Sequence, residues 1–134
     1  MALSVTGEQR IEFTNQVMKM LDSWGTTGED KIVLLGLPED TRSRKLEKYR
    51  RDEAFPDTTQ VNEHLEHLVG IADALRTTFP RNVEMCAIWI RQPHRRFDNE
   101  TPIALMIRKG LKGIIQVRAH LDCSFAWNAS GSAH

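Results

Sequence analysis

Six apolar residues, Val61, Leu65, Leu68, Ala72, Leu75 and Phe79, recur at spacings of 4, 3, 4, 3 and 4. Only a helix brings residues so spaced onto one stripe, because these steps average to its repeat of about 3.6 residues. Pro80 closes the run, since proline cannot continue the backbone ladder. The pattern predicts one long helix over 59–79, with Asn62, Glu63, Glu66, His67 and Asp73 on its far side. Its stripe must be covered, by the chain's own core or by a second helix in a coiled coil. The repeat spans fewer than three heptads, which favours the chain's own core.

Six further helices are expected. The first, over 7–24, has Thr6 and Gln9 at capping-box spacing, and Gly25 supplies its stop. Phe13, Val17, Met20 and Trp24 share one of its faces, with Met18 and Leu21 beside them. A second, over 29–35, has Thr27 as cap, Glu29 and Asp30 at its positive end and Gly36 after it. A third starts at Pro38 or Glu39, runs to Arg50, and gives way to a loop over 52–57. Asn82 caps a helix through Arg91, whose run from Met85 to Ile90 is apolar all round and predicts central burial. Residues 92–100 read as a polar loop. Thr101 and Pro102 open the next helix, which Gly110 closes, and Leu111, Ile114, Ile115, Val117 and Leu121 line the last. Asn128 to His134, small and polar, read as a mobile tail. The fold class is all-α, with about seven helices. A helix-turn-helix-like module over 1–57 is joined to a linking helix and a C-terminal helical domain over 58–134.

At 134 residues, 40% apolar and 27% charged, the chain can bury a core without disulfide or metal staples. No run of about 18 apolar residues could span a membrane. Met1 to Glu8 has neither a basic nor a long apolar region, so a cytoplasmic protein without a signal peptide is expected. Cys86 and Cys123 each lie in an apolar helical pattern and read as buried free thiols. The net charge of zero hides local fields. Residues 41–51 hold six bases and one acid, and 85–122 hold seven bases and three acids, whereas 8–40 and 52–84 are acidic.

Enzyme motifs are not evident. Phosphate-binding glycine loops, a nucleophile elbow and paired C-x-x-C are all missing from the sequence. His64 and His67, with Glu63 and Glu66 beside them, could begin a metal site, but no third ligand is apparent and a solvated face is the better reading. His94 stands alone in its loop, which is weak ground for acid–base chemistry. A small metal or hydrolytic enzyme built on these histidines would lack a nucleophile–base pattern. The reading is no enzyme, no metal and no cofactor.

A glycine-containing turn between two short helices describes a helix-turn-helix, whose second helix enters the major groove. Here Leu35, Leu37 and Leu46 would anchor that helix, leaving Arg42, Ser43, Arg44, Lys45 and Lys48 outward as the candidate DNA contacts. Arginine can take guanine bidentately, and lysine and serine can hold phosphates. The competing reading is a basic helix that is simply solvated. Pro38, Glu39 and Asp40 stand close enough to blunt DNA binding.

The second half reads Trp89-Ile90, Pro93-His94, Phe97, Thr101-Pro102-Ile103, Leu105-Met106-Ile107, Gly110, Gly113-Ile114, Val117 and Leu121. Over residues 82–125 this resembles the toxin-binding domain of the Xre/MbcA/ParS antitoxin family. Leu34-Leu35-Gly36-Leu37 followed by Thr41 resembles the same family's degenerate Xre-type helix-turn-helix. His94 stands where the family usually has asparagine, and Asp98-Asn99-Glu100 where a glycine-containing turn is common. The resemblance implies the antitoxin of a type II toxin–antitoxin system, its partner similar to RES-domain toxins, which look like ADP-ribosyltransferases and consume or transfer from NAD. It implies inhibition by covering the toxin's NAD pocket, and repression of the operon by a homodimer or by the toxin complex at operator DNA. The candidate toxin contacts are Arg91, His94, Arg95, Phe97, Phe125 and Trp127. Large aromatics are favoured interface anchors, although Phe125 and Trp127 could equally pack on the first or fourth helix. Arg96, Arg108, Lys109 and Lys112 extend a second basic surface. The alternative is a stand-alone helix-turn-helix regulator with no toxin partner.

Overall fold

The computed structural model describes residues 6–129, with side chains up to Ser124. Its elements are α1 (Gly7–Ser23), α2 (Gly28–Leu35), α3 (Ser43–Arg51), α4 (Thr59–Thr78), α5 (Val83–Arg91), α6 (Pro102–Lys109) and α7 (Leu111–Ala129), with a 3-10 turn at Arg95–Phe97. Among the described residues the fold is all-α, and the only extended pairing is an isolated bridge between His94 and Glu100. The backbone divides into two compact units, Met1–Leu65 and Glu66–His134, with the boundary inside α4. No helix among the described residues is long and apolar enough to cross a membrane.

In the first unit the caps form as their chemistry demands. Gln9 N–H donates to Thr6 Oγ1 at 3.1 Å while Thr6 N–H donates to the Gln9 side chain at 2.9 Å. Thr27 and Asp30 repeat the exchange on α2. Gly36 then takes a left-handed φ of 68°, and Leu37 N–H reaches back to Ile32 O at 3.0 Å, which ends α2 sharply. The buried face of α1 is Thr14, Val17, Met18, Leu21 and Trp24, rotated from the expected one, and Phe13 is 41% exposed. Thr14 can go inside because its hydroxyl is satisfied twice, donating to Arg10 O and accepting from Phe55 N–H.

A single carboxylate ties three helices together. Lys31 on α2 is buried, and its Nζ lies 2.9 Å from Asp22 on α1 and 2.9 Å from Thr26 O. Arg50 on α3 reaches the same Asp22 oxygen at 2.8 Å.

Two expectations are corrected in this unit. The third helix begins at Ser43, well after Pro38, because Thr41 turns back on Pro38 O with both its N–H (3.0 Å) and its hydroxyl (2.6 Å). That local closure competes with helix. His64 is buried, not solvated: its Nδ1 sits 2.8 Å from Leu34 O and its ring lies over Gly36. A Cβ on Gly36 would come within 2.7 Å of His64 Cδ2. Gly36→Ala therefore meets both a left-handed backbone and an imidazole. We expect a loss of about 2 kcal/mol in urea unfolding, with an unchanged slope.

The apolar stripe of α4 is buried as expected: Val61 and Leu65 in the first unit, Leu68, Ala72 and Leu75 in the second, with Phe79 half-buried. In the second unit Thr101 Oγ1 accepts from Ala104 N–H at 3.1 Å and Pro102 occupies the first turn, so α6 starts as the sequence predicts. Leu105, Met106, Ile114 and Val117 fill the α6–α7 corner.

Helix α5 departs from expectation. Ile90 is buried, but Val83 is 78% and Ile88 40% exposed, and Met85, Cys86, Ala87 and Trp89 are half-buried. Cys123 is exposed. Helix α7 carries the backbone on through Asn128 and Ala129, and the rest of the expected tail lies outside the described residues.

Candidate functional site

In the first unit α3 exposes its cations because Leu46 and Tyr49 turn the opposite face inward. Arg42, Ser43, Arg44, Lys45 and Lys48 are all exposed. The four basic residues among them line an open groove of 450 Å³ that also takes in Pro38, Tyr49 and Pro56, with Asp40 as its one acid. Not all of these charges are equivalent. Lys45 is ion-paired with Glu53 and lies 5.9 Å over the Tyr49 ring, and the bond it donates to the Glu53 carboxylate holds its pKa above the ordinary lysine value. Arg50 is shared between Asp22 and Glu47. Arg42, Arg44 and Lys48 have no ion pair among the described residues. The groove is thus suited to a polyanion, with three cations available to it.

In the second unit the segment after α5 folds into a tight knuckle. Asn99 N–H donates to His94 O at 2.9 Å and His94 N–H to Glu100 O at 3.2 Å. Asp98 and Asn99 both take left-handed φ values, 54° and 67°. Arg108 grips the base of the knuckle through two bonds to Glu100, of 2.7 and 3.0 Å, which lower the Glu100 pKa. Behind it lies an aromatic cluster. Phe97 is buried and meets His120 edge-on at 5.2 Å, while Trp89 contacts His94 at 4.6 Å and lies nearly parallel to His120 at 6.3 Å. The knuckle presents Arg95 and Arg96, and α5 ends in exposed Arg91.

The expected partner contacts fall unevenly on this frame. Arg91 and Arg95 are exposed, and His94 is half-buried with Nε2 3.0 Å from Trp89 O. Phe97, also an expected contact, is buried, and its ring supports the knuckle from inside. The side chains of Phe125 and Trp127 lie outside the described residues. His64 and His67 do not converge, for His67 Nδ1 faces Arg118 at 3.2 Å, and that guanidinium lies across Gly70.

His120 was not singled out from sequence, although its place between Val117 and Leu121 sets it beside a buried seam. Burial, then the charge of Arg96, then His94, lower its pKa. The unfolded imidazole takes up protons around the ordinary value of 6.5, before the folded one does. The unfolded state therefore binds more protons, and stability falls as pH drops from there through the lowered folded value. His120→Gln should flatten this dependence, read as the urea midpoint at about pH 7.5 and about pH 5.5. An equal drop in both proteins would locate the titration elsewhere.

Residues 74–123 match the family model of the antitoxin Xre/MbcA/ParS C-terminal toxin-binding domain. Over this segment the chain is similar to that family. No curated protein and no solved structure matches the chain. The matched segment takes in the last turn of α4, all of α5, the knuckle, α6 and α7 as far as Cys123. It begins earlier than the resemblance over 82–125. Its fixed points have structural work: Ile90 and Leu105 are core, Thr101 and Pro102 start α6, and Gly113 lets α7 approach α6. The surface around them is what remains for a partner.

Proposed function

We propose that the protein is the antitoxin of a type II toxin–antitoxin system, acting without catalysis in the cytoplasm. The toxin-binding domain over 74–123 carries this reading. On the proposal, that domain holds a RES-type toxin and occludes its NAD-binding active site, with Arg91, His94 and Arg95 in contact and Phe125 and Trp127 beyond them. The groove on α3 supports a second role: Arg42, Ser43, Arg44, Lys45 and Lys48 would hold operator DNA, so that a dimer or the toxin complex represses its own operon. The module boundary at 57/58 belongs to this proposal.

The deciding experiment is recovery of the tagged protein from its native cells, with identification of whatever co-purifies. A stoichiometric partner that consumes NAD once freed is the expected result. Recovery of the protein with DNA alone would replace the antitoxin reading by that of a stand-alone helix-turn-helix regulator, which the same groove favours.

A further inference from the structure

The outer side of α5 carries Glu84, Ile88 and Arg91, all exposed. Steps of four and three set them on one stripe, with the isoleucine between an acid and a base. Ile88 is 40% exposed, and Val83 at the start of the helix is 78% exposed. Neither Glu84 nor Arg91 makes an ion pair among the described residues. They cannot pair with each other, since seven residues at the helical rise set them roughly 10 Å apart along the axis.

We propose that this stripe is a self-association surface, through which two copies of the chain pair α5 against α5 about a two-fold axis. An isologous interface needs a pattern that complements itself when reversed. Glu84 and Arg91 are equidistant from a point between Ala87 and Ile88. A two-fold axis there, across antiparallel helices, sets Glu84 against Arg91 of the second copy, and Arg91 against its Glu84. The two Ile88 side chains then meet beside the axis. A parallel pairing would oppose acid to acid and base to base, so the charges select the antiparallel arrangement. An apolar centre with a charged rim is also the ordinary anatomy of an interface. One helical stripe is far smaller than the ~1,600 Å² of a standard interface, so the pairing is weak in free solution. Arg91 also stands among the proposed toxin contacts, so the stripe is shared between the two readings, and the chain alone, without toxin, tests self-association.

Sedimentation equilibrium of the full chain, from about 10 µM to about 1 mM, tests it. The expected result is a monomer–dimer equilibrium. Its Kd should rise about tenfold in Glu84→Arg and in Arg91→Glu, because each places like charges across the axis twice. The combined E84R/R91E protein restores the pairs in reverse and should return to within about threefold of the parent. Ile88→Asp should abolish association. All of these positions are exposed, and helical circular dichroism checks that each variant folds. A monomer at every concentration overturns the proposal. So does a dimer indifferent to the single changes, which places pairing on another surface, or a double variant no better than the singles. Changes that weaken capture of the toxin with no self-association to lose would hand the face to that partner instead.

Discussion

Alanine in place of Gly113 is expected to destabilise the protein by about 2–3 kcal/mol, although alanine is the better helix former by about 1 kcal/mol. The reason is the corner between α6 and α7. A Cβ at position 113 would stand 2.5 Å from Leu105 O and 3.0 Å from Met106 Cα. Both are backbone atoms, so no side chain can swing aside, and α6 would have to lift from α7 as a body. Leu105, Met106, Ile114 and Val117 are 2% exposed or less, and that movement would open the space they fill. Thermal unfolding followed by circular dichroism should show a midpoint lowered by roughly 5–15 °C. Gly7→Ala is the control, because a Cβ there meets nothing within 4 Å. A Gly113→Ala protein as stable as its parent would mean that the two helices do not approach this closely. Because Gly113 lies inside the segment that matches the toxin-binding family model, the same variant should also retain less of the proposed toxin partner.

The second large effect concerns the groove on α3. Replacing Arg42, Arg44 and Lys48 together by glutamine should weaken binding to the DNA upstream of the coding region roughly hundredfold. It should also reduce the slope of log affinity against log salt by about 2–3, near 0.9 for each phosphate no longer neutralised. Lys45→Gln should have a smaller effect on the slope, because Glu53 already neutralises that ammonium in the free protein. Titration by fluorescence anisotropy at several salt concentrations separates the two. If the triple variant binds with the parental affinity and slope, α3 is a solvated helix and the DNA role fails.

The contrast between Lys45 and its neighbours shows what a sequence can carry. That α3 would be basic outside and anchored by Leu46 within was legible, since helical spacing alone separates the two faces. That Lys45 would be tied to a glutamate eight positions on was not, because the pairing depends on the path of the chain after α3. The capping residues Thr6, Thr27 and Thr101 were legible for the same reason as Leu46: their partners lie within one turn. Helix α5 shows the opposite case. Its apolar run gave no polar face to point outward, so periodicity could not say which side would be left uncovered. A nine-residue helix packed along one side exposes the other whatever its composition. His64 was misread because its neighbours Glu63 and Glu66 are acidic, yet Val61 and Leu68 lie one turn from it on the buried side. Its true partner, Leu34 O, is thirty positions away. In the candidate partner surface, Arg91 and Arg95 were legible as exposed cations. The inward turn of Phe97 depended on His120, more than twenty positions later.

The knuckle after α5 has a kinetic consequence. Two consecutive non-glycine residues, Asp98 and Asn99, sit in the left-handed region, a conformation that isolated chains visit rarely. The bonds to His94 and the grip of Arg108 on Glu100 hold them there. The conformational entropy of this segment is therefore lost during folding and not during encounter. A molecule that docks on Arg95 and Arg96 meets their backbone already placed, with only the exposed side chains left to order. Association at the knuckle would then be governed by diffusion and charge, and its rate would fall as salt rises.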